Sequence, residues 1–320
     1  MIEKKSNKKI FIAGHRGMVG TSLTKFFKRK KFGKLITINR SRLNLENYNQ
    51  VEKFIRRKKP DIIINCAGRV GGIMANSTYP IEFLYENILI QLNLIKSAYK
   101  NNIKHFINLG SSCIYPKNAK QPIKEEYLLS SKLEKTNEAY ALAKIIGLKA
   151  CEYYNQQYKT SFITIMPCNL YGPNDNFNLQ NSHFLPALIK KFAKTKKKVE
   201  IWGSGLPKRE IMYVDDISSA IFFIIKKKLS KDKFLTNYIK RSSVINVGSD
   251  KEYSIKQIAN IIAKITNNKS GLKFNKKYPD GTPRKILDNR TIKKLGWKSK
   301  VSLEEGLKKT LDWYNKNYKK

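Results

Sequence analysis

Cysteine and histidine are both scarce in this sequence. Its 320 residues include three histidines and four cysteines, which are Cys66, Cys113, Cys151 and Cys168. The cysteines are widely separated, and no two of them form a CxxC pair. This spacing argues against a disulfide framework and against a structural zinc site, so we predict no metal and a reducing compartment.

Long apolar runs are also absent. No stretch approaches the roughly 20 residues that cross a bilayer. The first apolar segment is interrupted by Gly14 and His15, which leaves it too short for the core of a signal peptide. We therefore expect a cytoplasmic protein with no membrane partner. At 41% hydrophobic residues the chain can still build a substantial core, in one large domain or two integrated ones.

Acidic residues are the third shortage. The chain has 24 Asp and Glu against 64 Lys and Arg, a net charge of +40. Such a charge raises nucleic-acid binding as a hypothesis. The basic residues, however, occur in short runs at 28–31, 196–198 and 226–228, and no nucleic-acid module is recognisable. We expect compositional bias and no specific nucleic-acid partner, although the field favours an anionic substrate.

Apolar strands alternate with helical segments in the first half of the chain. The predicted strands are KKIFIAG, KLITINR, PDIIINCAG, KHFINLGSS and TSFITIMPCNLYG. Because continuous apolar strands joined by helices form a parallel sheet covered on both faces, we predict an α/β, Rossmann-like, doubly wound fold.

The pattern loosens after Tyr171. A strand KVEIWGSG, a helix IMYVDDISSAIFFIIKK and a strand SVINVGS follow, and the last helix places apolar residues on one face, namely Leu303, Leu307, Leu311 and Tyr314. We expect a dinucleotide-binding domain over 1–174, with returning segments around 212–248. A smaller, interleaved C-terminal substrate lobe is expected over 175–320.

A glycine-rich loop joins the first strand to the first helix. GHRGMVG places Gly14, Gly17 and Gly20 in a GxxGxxG pattern. Glycines permit a tight turn and a close approach of backbone to a pyrophosphate at a helix N-terminus. The alternative is a plain strand–helix loop, which the alternating context disfavours.

The end of the second predicted strand carries arginine where NAD-binding proteins carry an acid. The segment INRSR contains Arg40 and Arg42, and Arg16 lies in the glycine loop. Guanidinium groups suit a 2′-phosphate through bidentate, charge-assisted contacts. We therefore predict NADP(H) rather than NAD(H).

A tyrosine and a lysine recur one helical turn apart. In YALAK, Tyr140 and Lys144 share one helix face. The lysine is expected to lower the pKa of the phenol, which can then exchange a proton with a carbonyl oxygen while hydride moves. Ser111, after the fourth strand, is placed to complete such a set.

These features resemble the extended short-chain dehydrogenase/reductase family. Further motifs, from about Lys9 to Tyr314, resemble its NADPH-dependent epimerase/reductases of GDP-4-keto-6-deoxymannose: FIAGHRGMVG, GGIMANSTYP, LGSSCIYPK, TNEAYALAK, PCNLYGPNDNF, NSHFLPALI, WGSGLPKRE and PDGTPRKILD. The resemblance implies epimerisation of a GDP-sugar at C3 and C5, followed by reduction at C4, to give GDP-L-fucose. It also implies a homodimer formed through helices beside the sheet, including the helix of Tyr140.

Epimerisation requires two groups on opposite faces of the sugar ring. By resemblance these are Cys113 as the base and His183 as the acid, while Ser111, Tyr140 and Lys144 serve reduction. A thiol near positive charge and an imidazole are both suited to proton transfer. The alternative for Cys113 is a small buried apolar residue. His105 is expected on the surface, and the remaining cysteines are expected to be structural.

The resemblance also implies the binding residues. For the coenzyme they are Gly14, His15, Arg16, Gly17, Met18, Val19, Gly20, Arg40, Leu45, Leu109, Gly110, Ser111, Ser112, Tyr140, Lys144, Pro167, Asn169, Leu170 and His183. For the GDP-sugar they are Lys191, Trp202, Arg209, Asp280 and Lys285. Lys191 departs from the family, which commonly has arginine there, and core packing is the alternative for Trp202.

Two other functions stay open at this point. The first is an epimerase/reductase for another GDP-4-keto sugar, such as a dideoxy sugar or a deoxyheptose. The second is a basic, nucleic-acid-associated Rossmann protein, which the set of Ser111, Tyr140 and Lys144 disfavours.

Overall fold

The computed structural model describes residues 6–195, 197–278 and 280–318. Its strands are β1 Lys9–Ala13, β2 Lys34–Ile36, β3 Ile62–Asn65, β4 His105–Leu109, β5 Ile163–Pro167, β6 Asn169–Tyr171, β7 Val199–Trp202, β8 Lys208–Tyr213, β9 Val244–Val247, β10 Glu252–Ser254, β11 Leu272–Asn275 and β12 Arg284–Lys285. Its helices are α1 Met18–Arg29, α2 Tyr48–Lys58, α3 Ile73–Thr78, α4 Pro80–Lys100, α5 Glu138–Tyr158, α6 Phe184–Lys194, α7 Val214–Leu229, α8 Lys233–Arg241, α9 Ile255–Ile265, α10 Arg290–Lys294 and α11 Leu303–Tyr318.

The main sheet is parallel and buried on both faces. Within the described residues it has six strands in the order β2-β1-β3-β4-β5-β9. Alternate side chains point to opposite sides: Ile12 and Ile64 join the apolar cluster of α1 and α7, whereas Phe11 and Ile63 join that of α2 and α4. The predicted doubly wound α/β fold is confirmed.

The strand order reverses between β1 and β3. The chain first moves outward from β1 to β2 and then returns to add β3, β4 and β5 on the other side. The carboxyl ends of β1 and β3 therefore border a crevice, because the connections that follow them run to opposite faces of the sheet. This crevice is where a doubly wound sheet normally binds its ligand.

The predicted strand TSFITIMPCNLYG is wrong as a single element. β5 ends at Pro167, and after Cys168 the chain continues as β6, which leaves the main sheet to pair with β8. The chain leaves the main sheet at Cys168, the single residue between the two strands. Apolar residues continue on both sides of Cys168, so the sequence pattern does not show the break.

The predicted helix IMYVDDISSAIFFIIKK begins later than expected. Ile211, Met212 and Tyr213 belong to β8, where they pair with β6, and α7 starts at Val214. Asp215 and Asp216 lie in the first turn, where acidic side chains favour a helix N-terminus.

The returning segments pack as expected on the main sheet. β9 pairs with β5, and the Phe222 ring of α7 meets the Phe27 ring of α1 edge-on at 5.5 Å. The second lobe contains β10, β8 and β12 with β6 alongside, and the parallel pair β11 and β7. The four apolar residues predicted on one face of α11 are all buried. No helix in the described part of the chain is long and apolar enough to span a membrane.

Candidate active site

The glycine loop closes tightly on the neighbouring strand end. Gly14 has φ of +80°, and a Cβ there would lie 2.6 Å from the backbone nitrogen of Ala67, after β3. A Cβ on Gly20 would collide with the carbonyl oxygen of Gly14. Gly17 precedes α1 and adds no capping side chain, so Met18 and Val19 begin a helix whose N-terminus is open to an anion.

A cavity of about 310 Å³ lies beside this loop, at the crevice between β1 and β3. Its lining includes the predicted residues Gly14, His15, Arg16, Gly17, Arg40 and Leu45. Burial and the neighbouring Arg16 lower the pKa of His15. Arg42 is exposed and does not line the cavity, so of the two arginines in INRSR the structure brings only Arg40 to it.

Two carboxylates in the cavity were not found by sequence reasoning. Glu46 lies 2.8 Å from the Arg40 guanidinium, and Glu86 lies 2.6 Å from that of Arg69. Arg40 is also 4.0 Å from Glu86. These ion pairs orient arginines at the cavity wall. Glu46 and Glu86 lie outside any local motif, so no sequence pattern marks them.

Ser111, Ser112 and Cys113 form a tight turn immediately after β4. Ser111 Oγ accepts a hydrogen bond from the backbone N–H of Cys113 at 3.3 Å and so caps a single 3₁₀ turn over Ser112–Ile114. Ser112 is buried, whereas Cys113 is partly exposed. Gly110 anchors the turn by donating to the carbonyl oxygen of Ile165 on β5, at 2.9 Å. The turn therefore presents Ser111 and Cys113 together at the carboxyl edge of the sheet.

Tyr140 and Lys144 reach the same edge from α5. Lys144 Nζ donates to the carbonyl oxygen of Leu109 at 3.1 Å and lies 5.7 Å from the centre of the Tyr140 ring. Burial lowers the pKa of Lys144 to about 8. The lysine thus lies between the end of β4 and the tyrosine.

The expected direction of the Tyr140 pKa is wrong in this structure. Burial raises the pKa of the phenol, and the nearby Cys113 raises it further, while a hydrogen bond with Ser111 opposes both. Loss of solvation disfavours the phenolate more than the Ser111 contact favours it. Tyr140 therefore holds its proton at neutral pH, which suits a proton donor.

Cys113 and His183 both face Lys285. Lys285 Nζ lies 3.9 Å from Cys113 Sγ. His183 immediately precedes α6 and its side chain is exposed, and the surrounding protein and the Lys285 charge lower the pKa of the imidazole. The Lys285 charge therefore links the predicted base and the predicted acid, which come from segments far apart in the chain, and Cys113 also lies near Tyr140 and Ser111.

The GGIMANSTYP motif holds the loop that carries His183. Gly72 donates its N–H to the carbonyl oxygen of Asn181 at 2.9 Å, and a Cβ on Gly72 would collide with the carbonyl oxygen of Ser182. Asn76 Nδ2 donates to the carbonyl oxygens of Gly71 and Gly72 at 2.8 and 3.0 Å. The collision with Ser182 explains why position 72 is glycine.

The last predicted coenzyme residues follow the end of β5. Pro167 ends β5, and Asn169 and Leu170 lie on β6. Asn169 Nδ2 donates to the carbonyl oxygen of Glu210 at 3.2 Å, which ties β6 to β8. These residues lie at the same sheet edge as the 111–113 turn but not in the cavity beside the glycine loop.

An aromatic pair lies at the end of β7. Trp202 is half exposed and stacks on Tyr278, with ring centres 4.2 Å apart and an angle of 14° between the planes. Lys191 Nζ lies 5.4 Å from the Trp202 ring centre and donates to the carbonyl oxygen of Glu200 at 2.9 Å. Core packing does not account for Trp202, and Tyr278 is a residue that sequence reasoning missed.

Arg209 and Asp280 organise the neighbouring loop. Asp280 accepts hydrogen bonds from the Ser204 hydroxyl at 2.6 Å and from the Ser204 N–H at 2.9 Å, and these contacts lower the pKa of its carboxyl. Arg209 Nη1 donates to the carbonyl oxygens of Thr282 and Lys208 at 2.5 and 2.8 Å. Both charged groups thus have protein partners at the edge of the second lobe.

Comparison with known proteins identifies the family of this chain. The model of the NAD dependent epimerase/dehydratase family matches residues 10–248. The chain belongs to the NAD dependent epimerase/dehydratase family. It is 43% identical over 316 residues to a GDP-L-fucose synthase of Escherichia coli K12, covering 98% of each chain.

Other members of the epimerase/dehydratase family are similar over comparable lengths. A GDP-L-colitose synthase of Yersinia pseudotuberculosis is 40% identical, with 96% of this chain and 97% of that one covered. A solved structure of a GDP-D-glycero-L-gluco-heptose synthase from Campylobacter jejuni, in the presence of NADPH, has a TM-score of 0.90 at 35% identity and covers 98% of this chain and 100% of that one.

His105 is not the surface residue that we expected. It is the first residue of β4, and its Nδ1 atom is buried without a hydrogen-bond partner. Burial and the nearby Lys228 lower the pKa of its imidazole to about 4. The error arises because the flanking Lys104 makes the strand start look solvent-facing.

The other three cysteines lie outside the 111–113 turn. Cys151 and Cys168 are buried, and burial raises the pKa of both thiols. Cys66 lies at the cavity near Lys144, and burial raises the pKa of its thiol to about 12. No cluster of His, Cys, Asp and Glu that could hold a metal occurs among the residues that the structure describes.

Proposed function

We propose that this chain converts GDP-4-dehydro-6-deoxy-D-mannose to GDP-L-fucose with NADPH, by epimerisation at C3 and C5 followed by reduction of the C4 ketone. One observation carries the proposal: Lys285 acts on both Cys113 and His183, and Cys113 lies near Ser111 and Tyr140. A plain ketone reductase needs only the serine and the tyrosine. A relative named GDP-L-fucose synthase, at 43% identity over 98% of both chains, supports the same activity.

The coenzyme site fits NADP(H). Gly14 packs closely against Ala67 and carries no side chain. A pyrophosphate can therefore approach the backbone at the N-terminus of α1. Arg16 and Arg40 at the cavity would hold the 2′-phosphate, and no acidic residue stands directly after β2 to bind a free 2′-hydroxyl. When bound, the coenzyme supplies a hydride for the C4 carbon of the sugar.

The chain's own groups account for epimerisation. The protons at C3 and C5 are acidic because each neighbours the C4 ketone. The Cys113 thiolate, facing the Lys285 ammonium, removes such a proton, and Ser111 and Tyr140 stabilise the resulting enolate oxygen by donating hydrogen bonds. The imidazolium form of His183 gives a proton to the opposite face and becomes neutral imidazole, the form that its lowered pKa favours, and this inverts the centre.

Reduction of the C4 ketone depends on Ser111, Tyr140 and Lys144. Tyr140 keeps its proton because burial raises its pKa, and it gives that proton to the C4 oxygen as the ketone is reduced. Ser111 fixes the ketone by a hydrogen bond. Lys144, whose pKa is about 8, carries a positive charge at neutral pH beside both the tyrosine and the end of β4.

The second lobe is proposed to bind the GDP end of the substrate. Trp202 offers a flat exposed face, and Lys191 and Arg209 add positive charge. Asp280, with its exposed carboxylate, can accept hydrogen bonds from guanine nitrogen atoms. This assigns the coenzyme to residues 1–174 and the nucleotide mainly to residues 175–320.

We also infer a homodimer formed by α4 and α5. α4 exposes Ile81 and Tyr85, and α5 exposes Leu142, Ile146 and Tyr153. The spacings of four and seven residues place each set on one helix face, and the two helices pack side by side. A second copy of this surface would bury both stripes in a four-helix contact.

The test is incubation of the enzyme with NADPH and GDP-4-dehydro-6-deoxy-D-mannose, followed by sugar analysis of the product. Formation of GDP-L-fucose is the expected result. The second candidate is reduction and epimerisation of another GDP-4-keto sugar, which the GDP-L-colitose synthase and GDP-heptose synthase relatives favour. NADPH oxidation with a deoxyheptose or dideoxy substrate, but not with the deoxymannose, would establish that candidate instead.

A further inference from the structure

One carboxylate outside the proposed catalytic set is completely buried. Glu210 lies on β8, and its side chain has no exposure to solvent. One carboxylate oxygen accepts hydrogen bonds from the backbone N–H of Asp250 at 2.8 Å and from Asn289 Nδ2 at 3.1 Å. The other accepts from the backbone N–H of Leu287 at 2.9 Å. All three partners are donors, an arrangement that matches an ionised carboxylate.

The position of the Glu210 carboxylate constrains a neighbouring residue, and its burial is energetically unfavourable. A Cβ on Gly248 would collide with the Glu210 carboxylate, so glycine is required there. Burial raises the pKa of Glu210 to about 7, although the three donors oppose that rise. A buried carboxylate is unfavourable unless its contacts compensate for lost hydration. An apolar residue at this position would leave the three donors without an acceptor, so the carboxylate holds together the segments that supply them.

The Leu287 contact holds the segment that carries Lys285. β12 is two residues long and pairs in parallel with β8, so that Lys285 stands opposite Arg209. Leu287 follows two residues later and is tied to the next position of β8 by its hydrogen bond to Glu210. On the other side, the carbonyl oxygen of Ile286 accepts a hydrogen bond from the N–H of Ile123 at 2.8 Å.

The segment is therefore held on two sides, and the side chain of Lys285 reaches the 111–113 turn. Lys285 Nζ is 3.9 Å from Cys113 Sγ. An ammonium at this distance attracts negative charge on the sulfur. A shift of about 1 Å in the backbone of the segment would weaken that contact.

We propose that Glu210 is a positioning residue, which holds the Lys285 ammonium against Cys113, where the ammonium stabilises negative charge on the sulfur. The use of this sulfur as the base in epimerisation rests on the proposed function. The control of Cys113 by Glu210 through Lys285 does not, because it can be measured without substrate.

The experiment is alkylation of the full-length enzyme by iodoacetamide at pH 7, with modification of Cys113 followed by mass spectrometry of its peptide. The thiolate is the species that reacts. Lys285→Met should slow modification about tenfold. Glu210→Gln should slow it about three- to tenfold, because either orientation of the amide turns its NH2 group toward an N–H donor.

The double variant tests whether the two residues act in series. If Glu210 acts through Lys285, Glu210→Gln combined with Lys285→Met should react no more slowly than Lys285→Met alone. At pH 10, where ionisation no longer limits the reaction, all the variants should alkylate within about twofold of the wild type. A purely structural role would instead alter access to Cys113 and change the rate at both pH values.

A matched control comes from another buried carboxylate. Asp216 is 4% exposed, and its Oδ2 accepts from the backbone N–H groups of Lys300 and Val301, both at 3.0 Å. Asp216→Asn should leave the Cys113 rate unchanged. Glu210→Asp keeps the charge on a shorter side chain, and it should slow alkylation even if Glu210→Gln folds poorly.

Two results would overturn the proposal. One is a wild-type rate at pH 7 in folded Glu210→Asp and Glu210→Gln. The other is a double variant whose slowing is the product of the two single effects. Failure of the wild type to form GDP-L-fucose would overturn the proposed function, while the alkylation pattern would still decide the role of Glu210.

Discussion

At the scale of single residues, Cys113 is proposed to act in epimerisation and Tyr140 to supply the proton in reduction. Cys113→Ser should suppress solvent deuterium exchange into C3 and C5 of the substrate by at least about a hundredfold, because it removes the base. Tyr140→Phe should keep that exchange but slow NADPH oxidation by about 10²–10⁴-fold, since the C4 oxygen loses its proton donor. NMR of the recovered sugar and absorbance of NADPH measure the two effects.

The reverse pattern would contradict the assignment. Normal exchange in Cys113→Ser would exclude this thiol as the base, whatever happened to reduction. Cys168→Ser is a suitable control, because Cys168 is buried and burial raises the pKa of its thiol, which disfavours the thiolate.

Arg40 should set the coenzyme preference. Its guanidinium stands at the cavity wall, 2.8 Å from Glu46, where a 2′-phosphate would compete for it. Arg40→Ala should raise the KM for NADPH about tenfold and change that for NADH less than about twofold, because only NADPH loses a charge-assisted contact. Steady-state kinetics with both coenzymes provide the measurement.

Arg42→Ala is the matched control for this prediction. Arg42 is exposed and does not line the cavity, so its loss should leave both Michaelis constants unchanged. Similar Michaelis constants for NADH and NADPH in the wild type would refute the NADP(H) preference itself.

At the scale of secondary-structure elements, the contact between α4 and α5 sets the position of the helix that carries Tyr140 and Lys144. Gln91, on α4, is fully buried and donates through Nε2 to the carbonyl oxygens of Ala143 and Asn87, both at 2.9 Å. Its Oε1 accepts from Asn108 on β4 at 3.2 Å. Gln91 thereby fixes α5 against the sheet one residue before Lys144.

Gly147→Ala should weaken this junction. A Cβ on Gly147 would collide with the Gln91 side chain. Alanine gains up to about 1 kcal/mol of helix propensity over glycine, but overpacking costs about 1–3 kcal/mol. We therefore expect a net loss of stability, measured as a lower Tm, with lower reductase activity.

The partner variant makes this test specific. In Gln91→Ala the obstruction is gone, so adding Gly147→Ala should cost nothing or raise the Tm. If the Gly147→Ala change lowered the Tm equally in both backgrounds, the two residues would not be coupled.

At the scale of the whole molecule, the apolar surface of α4 and α5 should mediate self-association. Tyr85→Lys combined with Ile146→Lys places charges within the surface, which should convert a dimer into a monomer. Light scattering after size-exclusion chromatography should then give the chain mass of 37.0 kDa instead of twice that value.

An exposed aromatic residue elsewhere serves as the control. Phe234, on α8, is 44% exposed and lies outside this surface, so Phe234→Lys should leave the mass unchanged. A wild-type enzyme that elutes as a monomer at micromolar concentration would refute the dimer.

The sequence by itself determined the features that depend on near neighbours. Alternating strands and helices predicted the doubly wound sheet, because burial on both faces requires continuous apolar strands. The spacing of Gly14, Gly17 and Gly20 and the one-turn separation of Tyr140 and Lys144 are local geometry, so they were readable without a structure.

Only the tertiary structure decided the contacts that join distant segments. Lys285 and Cys113 are 172 positions apart in the chain, and Glu210 lies 77 positions from Leu287. Glu86 at the coenzyme cavity and Tyr278 beside Trp202 were missed for the same reason. Such pairs leave no periodic trace, because their proximity depends on strand order and on the turns between strands. The sequence predicted which groups take part in catalysis, and the fold determined which charges surround each of them.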